Sequence, residues 1–295
     1  MKDAPAPLSG LTATPTRLPE WIALARAETI EDAAFLSGAA LAHLFLATGS
    51  ADLPHGLWRQ RLALAAAETC SGLAGRRDGQ GGLRDAVAFL QPGDQPGPAG
   101  AILRQWSRAV AHPLSAESLT RALDGMAADR IAVCLDAGGA GPVGRAAQVI
   151  EEVLADSPRA EGTALILADA VLAQAIGRDH LLPLLSLGLR PRDLRLRGDD
   201  LRLACHRAVV VGAGRAVPLA RDLARAAARL RAVAPKLRAK TAGQAVEMFL
   251  TQDAVAPGAL TFMSDRAARR LCDRLVALGA LRELTGRDTF RLYGL

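Results

Sequence analysis

The sequence predicts a mainly α-helical protein, a multi-helix bundle-like body followed by a small C-terminal winged-helix-like α+β domain. Three observations carry that expectation. Half of the 295 residues are hydrophobic but only 3% are aromatic, so Ala and Leu, both strong helix formers, supply most of the apolar surface. Apolar residues recur at helical spacing through most of the first 234 positions. In the last sixty residues the pattern becomes helix, turn, helix and then strand-like alternation. A chain of this length can bury a substantial core.

Residues 1–27 carry prolines and acidic groups where a secretion signal would have an apolar stretch behind a basic start, and read as a flexible arm. Residues 28–234 read as an all-helical body. Thr29 with Asp32 makes a shortened capping box for a helix from Ile30 to Thr48, with Phe35, Ala39, Ala42 and Leu46 at helical spacing. Ala33 to Ala51 carries no Asp, Glu, Lys or Arg, close to the length of a membrane span. Small and polar residues dilute it, and Glu28, Glu31, Asp32 and Asp52 flank it without a cationic anchor, so a buried core helix and no membrane partner are expected.

A second helix, 57–74, places Trp58, Leu62, Ala65, Thr69 and Leu73 on one stripe, and the polar turn GRRDGQGG ends it. QPGDQPGPAG, residues 91–100, is a rigid loop whose Pro98 suits the first turn of a helix through Ile102, Trp106 and Val110. Further helices are expected over 115–126, 143–155 and 161–176, then a Pro-broken connector over 180–189. From 199 to 233 the apolar pattern returns, with Gly212, Gly214 and Pro218 expected to kink or divide it. Trp21, Trp58 and Trp106 are expected in the core. No fixed-period repeat supports a solenoid.

Several motifs suggest chemistry and weaken on inspection. Gly139-Ala140-Gly141-Pro142-Val143-Gly144 matches G-x-G-x-x-G after the apolar run Ile131 to Leu135, as a dinucleotide site would. The acidic Asp156 falls at a helix end, and the next candidate strand, Thr163 to Ala168, continues with helical spacing, so a Gly-rich loop is the preferred reading. The glycines of Val209 to Gly214 read as part of a kinked helix. The histidines His43, His55, His112, His180 and His206 lack ligand spacing. Glu151-Glu152 and Asp199-Asp200 are adjacent pairs whose side chains diverge on a helix. No catalytic residue, cofactor or metal is assigned. Cys70, Cys134, Cys205 and Cys272 stand apart with no C-x-x-C pair, which fits a reducing cytoplasm.

Charge divides the chain. Residues 200–295 hold 17 Lys or Arg against 8 Asp or Glu, whereas residues 1–199 hold 19 against 22. The basic hinge APKLRAK, with Lys236, Arg238 and Lys240, places a boundary near Pro235 and a third unit over 235–295. There Ala242 to Leu250 forms an amphipathic helix, with Val246, Phe249 and Leu250 inward. Ser264-Asp265 caps a helix to Leu278, and Gly279 stops it. A hairpin of 280–284 with 289–293 turns at Gly286-Arg287-Asp288. Ala268, Leu271, Leu275 and Leu278 share one face of the second helix, leaving Arg266, Arg269, Arg270, Asp273 and Arg274 outside.

SDRAARRLCDRLVALGALRELTGRDTFRLYGL resembles the winged-helix tail of many bacterial regulators and some Fic-type proteins. It departs from them in having room for only about one helical turn, around Pro257 to Leu260, where a full positioning helix is usual. Over its length, through EDAAFLSGAALAHL, GLWRQRLAL, PGDQPGPAG, LADAVLAQAIG and VAPKLRAKTAG, the chain resembles an uncharacterised alphaproteobacterial family, domain of unknown function 1403. That resemblance implies helices and a cytoplasmic bacterial protein and supplies no activity.

Double-stranded DNA is therefore an expected partner, read by Arg266, Arg269, Arg270, Arg274 and Arg287 with Lys236, Arg238 and Lys240. Four to six such contacts would give a salt slope of about −4 to −5. The alternative is a non-enzymatic helical adaptor or oligomerisation protein whose tail packs rather than binds DNA.

Overall fold

A computed structural model describes residues 17–91, 93–136, 138, 141–237 and 241–295. Its elements are almost all helical. In chain order they are α1 (Glu20–Ala23), α2 (Ile30–Ala47), α3 (His55–Leu73), α4 (Gln80–Ala88), α5 (Pro98–Ala111), α6 (Ala116–Ala122), α7 (Ala128–Leu135), α8 (Gly141–Asp156), α9 (Glu161–Ala175), α10 (Leu185–Gly188), α11 (Gly198–Val233), α12 (Ala242–Thr251) and α13 (Asp265–Ala277). Strands β1 (Arg282–Glu283) and β2 (Tyr293–Gly294) pair antiparallel, with Glu283 opposite Tyr293.

Local chemistry explains the helix starts that the sequence predicts. The Thr29 hydroxyl accepts from the Asp32 backbone N–H at 3.1 Å, which opens α2. Pro98 occupies the first turn of α5. Ser115 and Ser118 form a reciprocal capping box at α6. α4 and α7 were not foreseen. The polar turn after α3 is short, so Gln80 already starts α4, and the apolar run Ile131 to Leu135 lies in α7 rather than in a strand.

α11 is the spine. α2, α8 and α10 lie along it, and α1 and α3 touch it more lightly. The glycines and Pro218 do not divide this 36-residue helix, because Gly212 serves a different purpose. A Cβ there would come within 2.4 Å of the Leu184 carbonyl oxygen, and one on Gly188 within 2.3 Å of the Ala208 carbonyl oxygen. Reciprocal glycines thus bring α11 and α10 into backbone contact. Asp169, fully buried in α9, fixes the start of α10 by accepting the backbone N–H groups of Leu184 at 2.9 Å, Leu185 at 2.7 Å and Ser186 at 3.2 Å. Burial pushes its pKa up to about 7, against those three bonds.

The core is continuous across these helices. Trp58 donates its indole N–H to the Ala216 carbonyl at 3.1 Å, tying α3 to α11, and Trp106 is fully buried beside Cys70. Trp21 departs from expectation: it is exposed and stacks on Phe35. α2 departs likewise, burying Leu36, Ser37, Ala40 and Leu44 while Phe35 and Leu46 face outward. Apolar residues stand on both sides of this helix, so periodicity alone could not orient it. The stretch expected as an arm is described from Arg17 onward, and Leu18, Ile22 and Ala27 are buried there. Residues 1–16 lie outside the described residues.

Candidate nucleic-acid interface

The C-terminal segment is built in the order helix, short turn, helix, strand pair. α12 buries Ala245, Val246, Phe249 and Leu250. Val255 then pairs with Tyr293 across two backbone hydrogen bonds of 2.8 and 3.0 Å, so Tyr293 lies between Val255 and Glu283. A single 3₁₀ turn, Pro257–Ala259, precedes α13. α13 buries Ala268, Leu271, Cys272 and Leu275, and burial pushes the Cys272 thiol up to about 12, leaving it a packing residue. Leu278, expected on the inner face, is the C-cap and partly exposed. Ser264 occupies the N-cap position without a side-chain capping bond.

The hairpin is wider than the sequence suggests. The turn was placed at Gly286-Arg287-Asp288, but the strands pair at 282–283 with 293–294. Arg287 explains the difference, because its guanidinium folds back to donate to the Thr289 and Phe290 carbonyls. That loop holds Phe290 at a φ of 53°, in the left-handed region that non-glycine residues seldom adopt.

The arginines expected to read DNA divide by their surroundings. Arg266, Arg270 and Arg274 are exposed on the outer face of α13. Arg270 donates to the Arg266 carbonyl at 3.3 Å, and none of the three forms an ion pair among the described residues. Arg269 pairs with Asp265 at 3.0 Å. Arg287 does not project from a wing tip: it forms a two-point ion pair with Asp85 of α4 at 2.7 and 2.8 Å, beside the Phe89–Phe290 ring contact. Lys236 is exposed in the 3₁₀ turn after α11, and Arg238 and Lys240 lie outside the described residues.

Between α13 and the 288–291 loop lies a cleft of about 570 Å³. Asp265, Asp273 and Asp288 outnumber Arg269 and Arg291 along it, so the cleft itself does not favour a phosphate. The basic surface is the outer row. Its members at i, i+4 and i+8 span about 12 Å of helix, which suits a track of phosphates along a groove edge.

Contacts that sequence reasoning missed hold this segment to the body. Asp253, just before Val255, pairs with Arg84 of α4 at 2.7 Å and with Arg61 of α3. Arg61 also donates to the Leu295 carbonyl at 3.0 Å. Burial pulls the Arg61 guanidinium below its ordinary pKa, and Asp253 opposes that shift.

Across the whole chain, a family model described as "Protein of unknown function (DUF1403)" matches residues 8–295. The chain belongs to this family. No curated protein matches it. Membership in DUF1403 brings no catalytic residue with it. Among the described residues of this DUF1403 chain, no cluster of His, Cys, Asp and Glu could hold a metal, and Ile131–Leu135, Gly141–Asp156 and Glu161–Ala175 are helices. The parallel sheet that a dinucleotide site around Gly141 and Gly144 requires is thus replaced by helices, while Gly139 and Ala140 themselves lie outside the described residues.

Proposed function

We propose that this protein binds double-stranded DNA through the outer face of α13 and acts as a regulator. One observation carries the reading: Arg266, Arg270 and Arg274 form an exposed row with no acidic partner among the described residues, on an amphipathic helix set between a turn and a strand pair. Phosphate contacts of this kind are strongly salt-dependent. With Arg269 and Arg287 engaged by Asp265 and Asp85, the α13 row itself offers Arg266, Arg270 and Arg274 to DNA. The expected slope of log affinity against log salt is then about −3.

The test is anisotropy binding of the full chain to mixed-sequence duplex DNA over a salt series. The Arg266→Ala/Arg270→Ala/Arg274→Ala variant should lose binding, and Arg287→Ala should keep it. Absence of binding at low salt, or equal binding by the triple variant, overturns the proposal.

The inward-turned Arg287–Asp85 pair favours a second reading, a helical adaptor whose C-terminal segment is a packing unit. Under it neither wild type nor variant binds DNA, and partners engage the helical body.

A further inference from the structure

Among the described residues, exposed large apolar side chains gather on the outer face of α2. Phe35, Phe45 and Leu46 on this helix, with Trp21 against Phe35, are each between 56 and 67% exposed. Together they present on the order of 600 Å² of apolar surface, the upper end for a patch on a lone monomer. That approaches the roughly 800 Å² that each partner contributes to a standard interface.

We propose that this face is the contact between two copies of the chain, packed as an antiparallel α2 pair about a two-fold axis level with Ala40. The sequence of the face is self-complementary in that register. Phe35 of one copy meets Phe45 of the other, and Gly38 meets Ala42, while Leu46 meets the smaller Ala34. Gly38 and Ala42 are exposed, and a Cβ on Gly38 meets nothing within 4 Å, so the two helices can approach closely at the centre.

The ends of the face agree with this arrangement. Exposed Glu31 and Asp32 occupy its N-terminal end. At the C-terminal end the Arg178 guanidinium lies 4.4 Å from the Phe45 ring centre and donates to Thr48. Antiparallel packing brings the acidic end of each copy to Arg178 of the other, at an end that also carries the exposed Asp52 and Asp179. This is an isologous contact, which closes at a dimer. A bilayer fits less well: the opposite side of α2 is buried against α11, and the acidic end would be repelled by anionic lipid.

The inference rests on α2 alone and is independent of DNA binding. Sedimentation velocity of the full chain at micromolar concentration should give a dimer, and Phe45→Asp, at an exposed position, should give a folded monomer by circular dichroism. A second measurement reads the register. Gly38→Cys and Ala42→Cys chains, oxidised as a mixture, should form a mixed disulfide dimer in higher yield than either alone, since the four native cysteines are buried. A monomeric wild type, a dimeric Phe45→Asp variant, or no gain in yield on mixing overturns the proposal. So does binding of a monomeric wild type to phosphatidylcholine vesicles, which would assign the face to lipid.

Discussion

Two seams hold this molecule together, and they are built from different materials. Between α10 and α11 the backbones touch through reciprocal glycines, and Leu184, Leu185, Ala208 and Ala213 around them are buried. Between the body and the C-terminal segment the apolar core continues through Phe249, Leu275 and Tyr293, and half-buried charge is added to it, with Asp253 between Arg61 and Arg84, and Asp85 against Arg287. The first seam is dry and geometrically intolerant; the second adds ion pairs to apolar packing. Ion pairs present in the second seam and not in the first make the docking of α12, α13 and the strand pair adjustable by a change of charge.

Gly212→Leu is the sharpest test of the dry seam. Helix propensity alone favours the substitution by about 1 kcal/mol, since glycine is a poor residue in a helix interior. The close approach predicts the opposite sign, because the added side chain would drive into the Leu184 backbone. A loss of at least about 3 kcal/mol is expected, read as a lower midpoint in denaturant for the whole body. A neutral or stabilising result would show that α10 can move away freely, and the contrast between the seams would collapse.

Asp253→Asn probes the charged seam and should cost less, about 2 kcal/mol. It leaves two guanidiniums, each 11% exposed, without their carboxylate. The effect should be confined: faster hydrogen exchange in α12, α13 and the β1–β2 pair, with α8 and α9 unchanged. Equal acceleration in α8 and α9 would mean that the two regions unfold as one.

How far these seams could be read from sequence follows from their chemistry. Helix starts were legible because the capping pair Thr29–Asp32, the Pro98 first turn and the Ser115–Ser118 box are local signals four residues long or less. The arginine face of α13 was legible because Ala268, Leu271 and Leu275 fix the opposite face. α2 was not, since Phe35, Leu36, Leu44 and Leu46 are all apolar and only packing against α11 selects which are covered. The charged seam was hidden for another reason: Asp253 lies 169 residues from Arg84 and 192 from Arg61, and no local pattern marks such a pair. Asp169 did leave a signal, as the only charge in the apolar run from Thr163 to Ile176, where a buried carboxylate requires donors. Gly212 stood out in the sequence but for the wrong reason: a helical glycine marks a bend or a close approach equally well, and only the partner helix decides.

The smallest expected effect concerns a polar clasp inside the otherwise dry body. His206 of α11 meets the Ser37 hydroxyl of α2 at 2.7 Å, and that hydroxyl donates to the Ala34 carbonyl at 3.0 Å, which leaves the imidazole Nδ1–H as donor to Ser37. Burial, and then the Arg202 charge, hold the His206 pKa below its ordinary value of 6.5. The folded chain therefore takes up this proton less readily than the unfolded one. The resulting stability is fully present above pH 6.5 and is lost as pH falls through the folded value. Asp169, raised to about 7 by burial, takes up its proton in the folded chain over the same range and works in the opposite sense, so the His206 share is read by difference: from pH 7 to 5.5 the thermal midpoint of His206→Gln should fall less, or rise more, than that of wild type. His55, also lowered by burial, carries its own share and remains in the variant. An unchanged pH profile in His206→Gln would show that α2 is held to α11 by apolar contact alone, as α10 is.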